Sequence, residues 1–193
     1  QAPYVEYLFV DDGSTDGCDG LLEAWAAQDG RIRHIRKENG GCASARNLGL
    51  ESAVGNYVGF VDGDDFVDKE MFRRLLQRAM MGRYEMAYCG FSEYHEGEQR
   101  TVAVRGECMQ EPYLSGTRAA EDVQRLVIRT KVAIWRCLYR REFLLREGIV
   151  FHEELKRFDD LPFKVESGFL AKSVVCVPEH LYYYRIGRPG QDV

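Results

Sequence analysis

Apolar residues fall alternately into short continuous runs and helically spaced sets along the chain. Val5 to Val10 is a strand-like run that ends in Asp11-Asp12-Gly13-Ser14, a cluster of turn and helix-start residues. Leu21, Leu22, Trp25 and Ala26 then recur at helical spacing and predict a helix over 19–28. A second strand is predicted at 32–35. The polar, Gly-rich stretch 37–41 follows, then a helix at 43–53 with small and apolar residues on one face. A third strand is predicted at 57–61, with Asp62-Gly63-Asp64-Asp65 at its carboxyl end. Phe72, Leu75, Leu76 and Ala79 mark another amphipathic helix, and 85–89 a further strand. From 92 to 116 polar residues dominate and periodicity fades, which predicts an exposed hairpin or mobile loop. Helices are expected at 117–129, 141–147 and 160–171, the last accommodating Pro162 in its first turn. Short strands are expected at 174–177 and 181–184.

Strand and helix alternating in this way predict an α/β fold with a sheet covered on both faces. Ligands of such sheets bind beyond the carboxyl ends of the strands. The acidic clusters at 11–12 and 62–65 both follow predicted strands, so they are expected to meet in one crevice.

Composition narrows the picture. A chain of 193 residues with 45% apolar and 30% charged residues suits one globular domain. It can bury roughly 70% of its unfolded surface without help from disulfides or metals. A net charge of −5 argues against nucleic acid as a partner, because phosphate binding needs a basic face. No apolar run reaches the roughly 18 residues of a spanning helix, and the opening residues lack a signal-peptide pattern. The six cysteines form no CxxC pair, which fits a reducing, cytoplasmic setting. The chain opens on a strand-like run without an initiator Met, as an edge strand or a truncated chain would.

Four constellations can carry chemistry. Asp62, Asp64 and Asp65 can clamp a hard divalent cation, Mn²⁺ or Mg²⁺, against diphosphate oxygens, although DGDD also suits a plain turn. Asp11 and Asp12 can accept hydrogen bonds from a base or ribose, or serve only to start the next helix. Asn39-Gly40-Gly41 leads into Ser44-Ala45-Arg46-Asn47; its N–H groups and Arg46 can hold phosphate, or the small residues can simply permit close packing. Asp159-Asp160 precedes a helix and can supply a general base or a cap. The four histidines show no metal spacing. Trp135 and Tyr182 to Tyr184 read as core and half-buried strand residues.

Taken in order, FVDDGSTDG, KENGGCASARNLGLESAVGNYVGFVDGDDFVD and FDDLPFKVESGFLAKSVVCVPEHLYYYR resemble the glycosyltransferase family 2 domain of GT-A fold. The resemblance covers about residues 6–185. It implies a Rossmann-like, mostly parallel sheet flanked by helices, lacking the strand and helix with which family members usually open. It also implies a single domain over 1–193, with a nucleotide-sugar half (1–90) and an acceptor half (91–193). The implied reaction is metal-dependent, inverting transfer from a nucleotide-diphosphate sugar to a hydroxyl of a saccharide or lipid-linked acceptor. Cell-surface polysaccharide synthesis at the inner face of a bacterial plasma membrane is the implied setting, with any membrane attachment outside this segment. By position, Asp12 with Asp11 matches the nucleotide-binding acid. Asp62 and Asp64 match the metal-binding DxD, extended by Asp65. Asp160 matches the catalytic base, and Asn39, Gly41 and Arg46 lie near the donor. A non-catalytic nucleotide-sugar binding module is the alternative. A haloacid-dehalogenase-type phosphatase ranks far below, because Phe66 stands where its motif needs Thr or Val.

Overall fold

A computed structural model describes residues 5–105 and 130–188; the helix expected at 117–129 lies outside the described residues. The elements in chain order are β1 (Tyr7–Asp11), α1 (Cys18–Gln28), β2 (Ile32–Arg36), α2 (Cys42–Ser52), β3 (Tyr57–Gly59), β4 (Phe66–Val67) and α3 (Met71–Gly82). There follow β5 (Met86–His95), β6 (Arg100–Ala103), β7 (Cys137–Arg140), α4 (Arg141–Glu147), α5 (Asp160–Leu170) and β8 (Val174–Ile186).

β1 and β2 pair in parallel as a two-stranded sheet, Tyr7 opposite Ile32 and Asp11 opposite Arg36. The other six strands form one sheet in the order β3-β7-β5-β8-β4, with β6 also on β5. β5 and β8 run parallel, whereas β3–β7, β5–β7, β4–β8 and β5–β6 are antiparallel. The sheet is therefore mixed rather than mostly parallel. Its antiparallel members β4, β6 and β7 have two to four residues each, too short to leave a periodic signature.

Of the two alternatives for the stretch 92–116, the hairpin holds in its described part and the mobile loop does not: Ser92 to His95 pairs with Arg100 to Ala103 around a 3₁₀ turn at Glu96–Glu98. One local expectation is corrected. The strands expected at 174–177 and 181–184 are one strand, β8. The β5–β8 register slips between Cys89 and Phe91, and the slip absorbs Pro178, which has no N–H to offer a ladder.

The core lies on the six-stranded sheet. α3 lays Met71, Leu75 and Ala79 against it, all fully buried. Gly59 makes this close approach fit, since a Cβ there would stand 2.5 Å from the Phe72 ring. On the side where α5 packs, Phe60, Tyr139, Phe151 and Phe163 form one aromatic cluster. Phe163 stacks on Phe151 with centroids 4.1 Å apart and meets Phe60 edge-on at 5.6 Å. Phe60 is two residues before Asp62 and Phe163 three after Asp160, so burying these rings draws the two acidic segments together. Among the described residues, no helix is long and apolar enough to cross a membrane.

Candidate active site

The first cluster gathers at the carboxyl end of β1. The Asp12 carboxylate accepts the Gly40 and Gly41 N–H groups at 2.9 and 2.8 Å, and Lys37 Nζ donates to it at 2.7 Å. Burial opposes its charge, but Lys37 and the two N–H groups outweigh that and hold the carboxyl below the usual carboxylate range. Gly41 reaches this arrangement at φ +92, a backbone region that suits glycine. Asn39 Nδ2 donates to the Asp12 carbonyl at 3.1 Å. The anion held by this Gly-rich loop is thus the protein's own Asp12, and Asn39 and Gly41 shape the loop through it. Asp11 is buried. Its Oδ1 accepts the Ser14 N–H at 2.8 Å, which holds its pKa below the usual carboxylate range. Its Oδ2 has no hydrogen-bond partner among the described residues, although Arg36 Nε lies 3.8 Å away. Neither Asp11 nor Asp12 caps α1, whose start takes no side-chain cap at Gly17.

The second cluster centres on Arg46, one turn into α2. Its Nη2 donates to Asp62 Oδ1 and its Nη1 to Asp159 Oδ2, each at 2.8 Å. The guanidinium sits over the Phe151 ring, 5.4 Å from its centroid. Burial works against the charge of Arg46, but Asp62 and then Asp159 more than compensate and push its pKa up. One cation thus ties the DGDD turn to the Asp159-Asp160 pair. Asn47, the next residue, pairs with the backbone of Phe151 in both directions at 2.8 Å, which fixes the segment leading into α5. Asp160 opens α5. Burial raises its pKa above the ordinary carboxylate value, Arg46 pulls it down, and Asp159 and Asp62 raise it again. A carboxylate that binds a proton more readily than usual is a better base.

The DGDD turn follows β3. Ligand oxygens of Asp62, Asp64 and Asp65 all lie within 4.8 Å of one another. Three hard oxygen donors, partly accessible and so close, fit a divalent cation of the Mg²⁺ or Mn²⁺ type. Asp64 pairs with Arg188, and Asp62 with Arg46. Asp65 differs, because Tyr182 Oη donates to its Oδ2 at 2.7 Å and the Arg185 N–H to its Oδ1 at 2.8 Å. Burial, with the Asp62 and Asp65 carboxylates beside it, pushes the Tyr182 phenol up, so it stays protonated.

Asp62, Asp160 and Arg46 therefore come together, and the Asp12 clamp sits at the start of the same helix that carries Arg46. Trp135 is core, stacked on Tyr182 with centroids 4.1 Å apart. Sequence reasoning missed Tyr182, Lys37 and Arg188 as partners of the acids. A run of three tyrosines does not say which of them faces the turn. A cavity lined by Tyr88, Arg136, Cys137, Tyr139 and Lys164 shares none of these acidic residues.

A family model described as Glycosyl transferase family 2 matches residues 1–148. The chain belongs to this family. Among curated relatives, the chain is 36% identical over 182 residues to the uncharacterized glycosyltransferase EpsJ of Bacillus subtilis, covering 94% of this chain and 52% of that protein. It is 38% identical over 91 residues to the putative teichuronic acid biosynthesis glycosyltransferase TuaG of the same organism, covering 47% of this chain and 36% of TuaG. The chain spans about half the length of EpsJ. The fold matches the crystal structure of S. aureus TarS 1-349 in complex with UDP-GlcNAc at a TM-score of 0.80 and 23% identity, over 97% of this chain and 51% of that one. The α/β architecture of this family 2 chain is thus the GT-A fold.

Proposed function

We propose that this family 2 domain transfers a sugar, with inversion, from a nucleotide-diphosphate sugar to a hydroxyl of a saccharide or lipid-linked acceptor in cell-surface polysaccharide synthesis. The observation that carries the reading is the Arg46 bridge, which brings the DGDD turn and the Asp159-Asp160 helix start into one site. Asp160 accepts the proton of the acceptor hydroxyl. That oxygen forms a bond to the anomeric carbon as the bond to the diphosphate breaks on the opposite face. A divalent cation on Asp62 and Asp64 would neutralise charge on the departing diphosphate. Asp11 and Asp12 are read as the acids that meet the donor's ribose or base, a reading that the unpartnered Oδ2 of Asp11 among the described residues supports. Residues 1–90 are read as the donor half and 91–193 as the acceptor half. The five described cysteines are free thiols, which supports a cytoplasmic setting.

A panel of nucleotide-diphosphate sugars with Mn²⁺, screened by thermal shift on the full natural chain, identifies the donor, and release of nucleoside diphosphate then measures turnover. Asp160→Asn should lower kcat by about 10²–10⁴-fold while donor affinity stays close to wild type. Asn caps a helix about as well as Asp, so a mere cap would leave turnover unchanged. Wild-type turnover in the variant would remove Asp160 as the base, whereas no release of nucleoside diphosphate by the wild-type chain itself would favour a binding module.

A further inference from the structure

Building on the proposed cation site, we propose that Tyr182 is a positioning residue that fixes the Asp62–Asp65 turn, and that Asp65 is the anchor of that turn rather than a ligand of the cation. Tyr182 lies on β8 and is fully buried. Its phenolic oxygen touches both ends of the turn. It donates to Asp65 Oδ2 at 2.7 Å and accepts the Asp62 N–H at 3.3 Å. The other Asp65 oxygen takes the Arg185 N–H at 2.8 Å, so β8 grips this carboxylate at both oxygens. The Asp65 N–H closes the turn on the Asp62 carbonyl at 3.1 Å.

The three acids divide by the kind of partner they hold. Asp62 gives its Oδ1 to Arg46 and Asp64 its Oδ2 to Arg188, which leaves each a second carboxylate oxygen to offer a cation. Asp65 pairs with a buried phenol and a strand N–H, which cannot move without disturbing β8. The phenol itself is held in place. Tyr182 stacks on Trp135 at 4.1 Å, and Trp135 meets Phe91 edge-on at 4.9 Å, so the ring has little freedom to swing away. The spacing of the Asp62 and Asp64 oxygens is thereby set from the core. A small divalent ion depends on such spacing, because its oxygen ligands must converge to about 2.0–2.2 Å.

Tyr182→Phe removes the hydroxyl and leaves the stacked ring, so folding is not at stake. Mn²⁺ binding in the presence of UDP, followed by electron paramagnetic resonance on the full natural chain, reads the site without turnover. Tyr182→Phe should weaken Mn²⁺ about 10–100-fold, the usual effect of removing a group that orients a metal ligand. Asp64→Asn should abolish detectable binding. Asp65→Asn, which keeps an acceptor for the Arg185 N–H, should stay within about tenfold of wild type. Wild-type affinity in Tyr182→Phe, with binding lost in Asp64→Asn, overturns the positioning role and leaves the cation site standing. Asp65→Asn as weak as Asp64→Asn makes Asp65 a ligand and overturns the anchor. Wild-type binding in Asp64→Asn removes the cation site itself, and the proposal with it.

Discussion

The lobe of β1, α1 and β2 and the six-stranded sheet are built by different physics. α1 has no buried residue, and Leu21 and Trp25 on it are half-exposed. This lobe is tied to the rest by polar contacts. Glu6 Oε1 accepts the Val54 and Gly55 N–H groups, and Asp12 accepts those of Gly40 and Gly41. The six-stranded sheet instead rests on a continuous apolar core, with Tyr139, Tyr182, Phe143, Phe151 and Phe163 almost fully buried. The acids at issue sit on both sides of this divide. Asp11 and Asp12 depend on directional hydrogen bonds, which water can replace at modest cost. Asp62 and Asp160 are placed by packed rings, whose contacts cannot be recovered in solvent.

The contrast can be tested at one residue on each side. Phe163→Ala should lower stability by about 3–5 kcal/mol in urea or thermal unfolding, because it empties the space between Phe60, Tyr139 and Phe151. Trp25→Ala, with the larger ring but only a tilted contact with Phe9 at 6.1 Å, should cost about 1 kcal/mol or less. A loss of about 3 kcal/mol or more at Trp25 would erase the contrast.

An effect smaller than that of Phe163→Ala is expected at the clamp. Asp12→Ala leaves the Gly40 and Gly41 N–H groups and Lys37 without their acceptor. It should lower stability by about 1–2 kcal/mol when no donor is present. Lys37→Met should show part of the same loss. If both variants melt as wild type, the loop is not held by Asp12, and the acid is free for the donor alone.

The smallest effect concerns pH. His152 Nε2 lies 2.9 Å from Glu166 on α5 and Nδ1 3.3 Å from Glu154. Glu166 first, and then Glu154 against mild burial, raise the His152 pKa above its ordinary value of 6.5. A raised folded-state value means the pairing stabilises fully below about pH 6.5 and fades as pH rises through the higher folded value. The ring is more than a third exposed, so the gain should stay below about 1 kcal/mol. Glu166→Gln should flatten the fall in unfolding free energy between about pH 6 and 8. An unchanged slope would remove the pair from the account.

Much of this architecture was written in local pattern. The apolar run at Val5 to Val10, the helical spacing of Leu75 and Ala79, and the acids placed after strands all depend on neighbours a few residues apart. Those signals located β1, α1, α2 and α5 within a residue or two and marked α3 by its apolar face. The strands β4, β6 and β7 left no such mark, because each takes its place only when a distant partner covers it. Antiparallel closure of the sheet, and the joining of two predicted strands into β8 across Pro178, were matters of long-range pairing.

The sequence by itself determined the family motifs and the identity of the acids: Asp11, Asp12, Asp62, Asp64, Asp65 and Asp160. It could do so because their types and spacings are local. Only the tertiary structure decided what each acid is bonded to. Arg46, expected beside the donor's phosphate, bridges Asp62 and Asp159 across 113 positions of chain at its far end. Asp12 closes on Gly40 and Gly41 from 28 and 29 positions away, and Tyr182 reaches Asp65 from 117. A hydrogen bond is settled within a few tenths of an ångström, and positions that far apart in the chain acquire such distances only when the core packs.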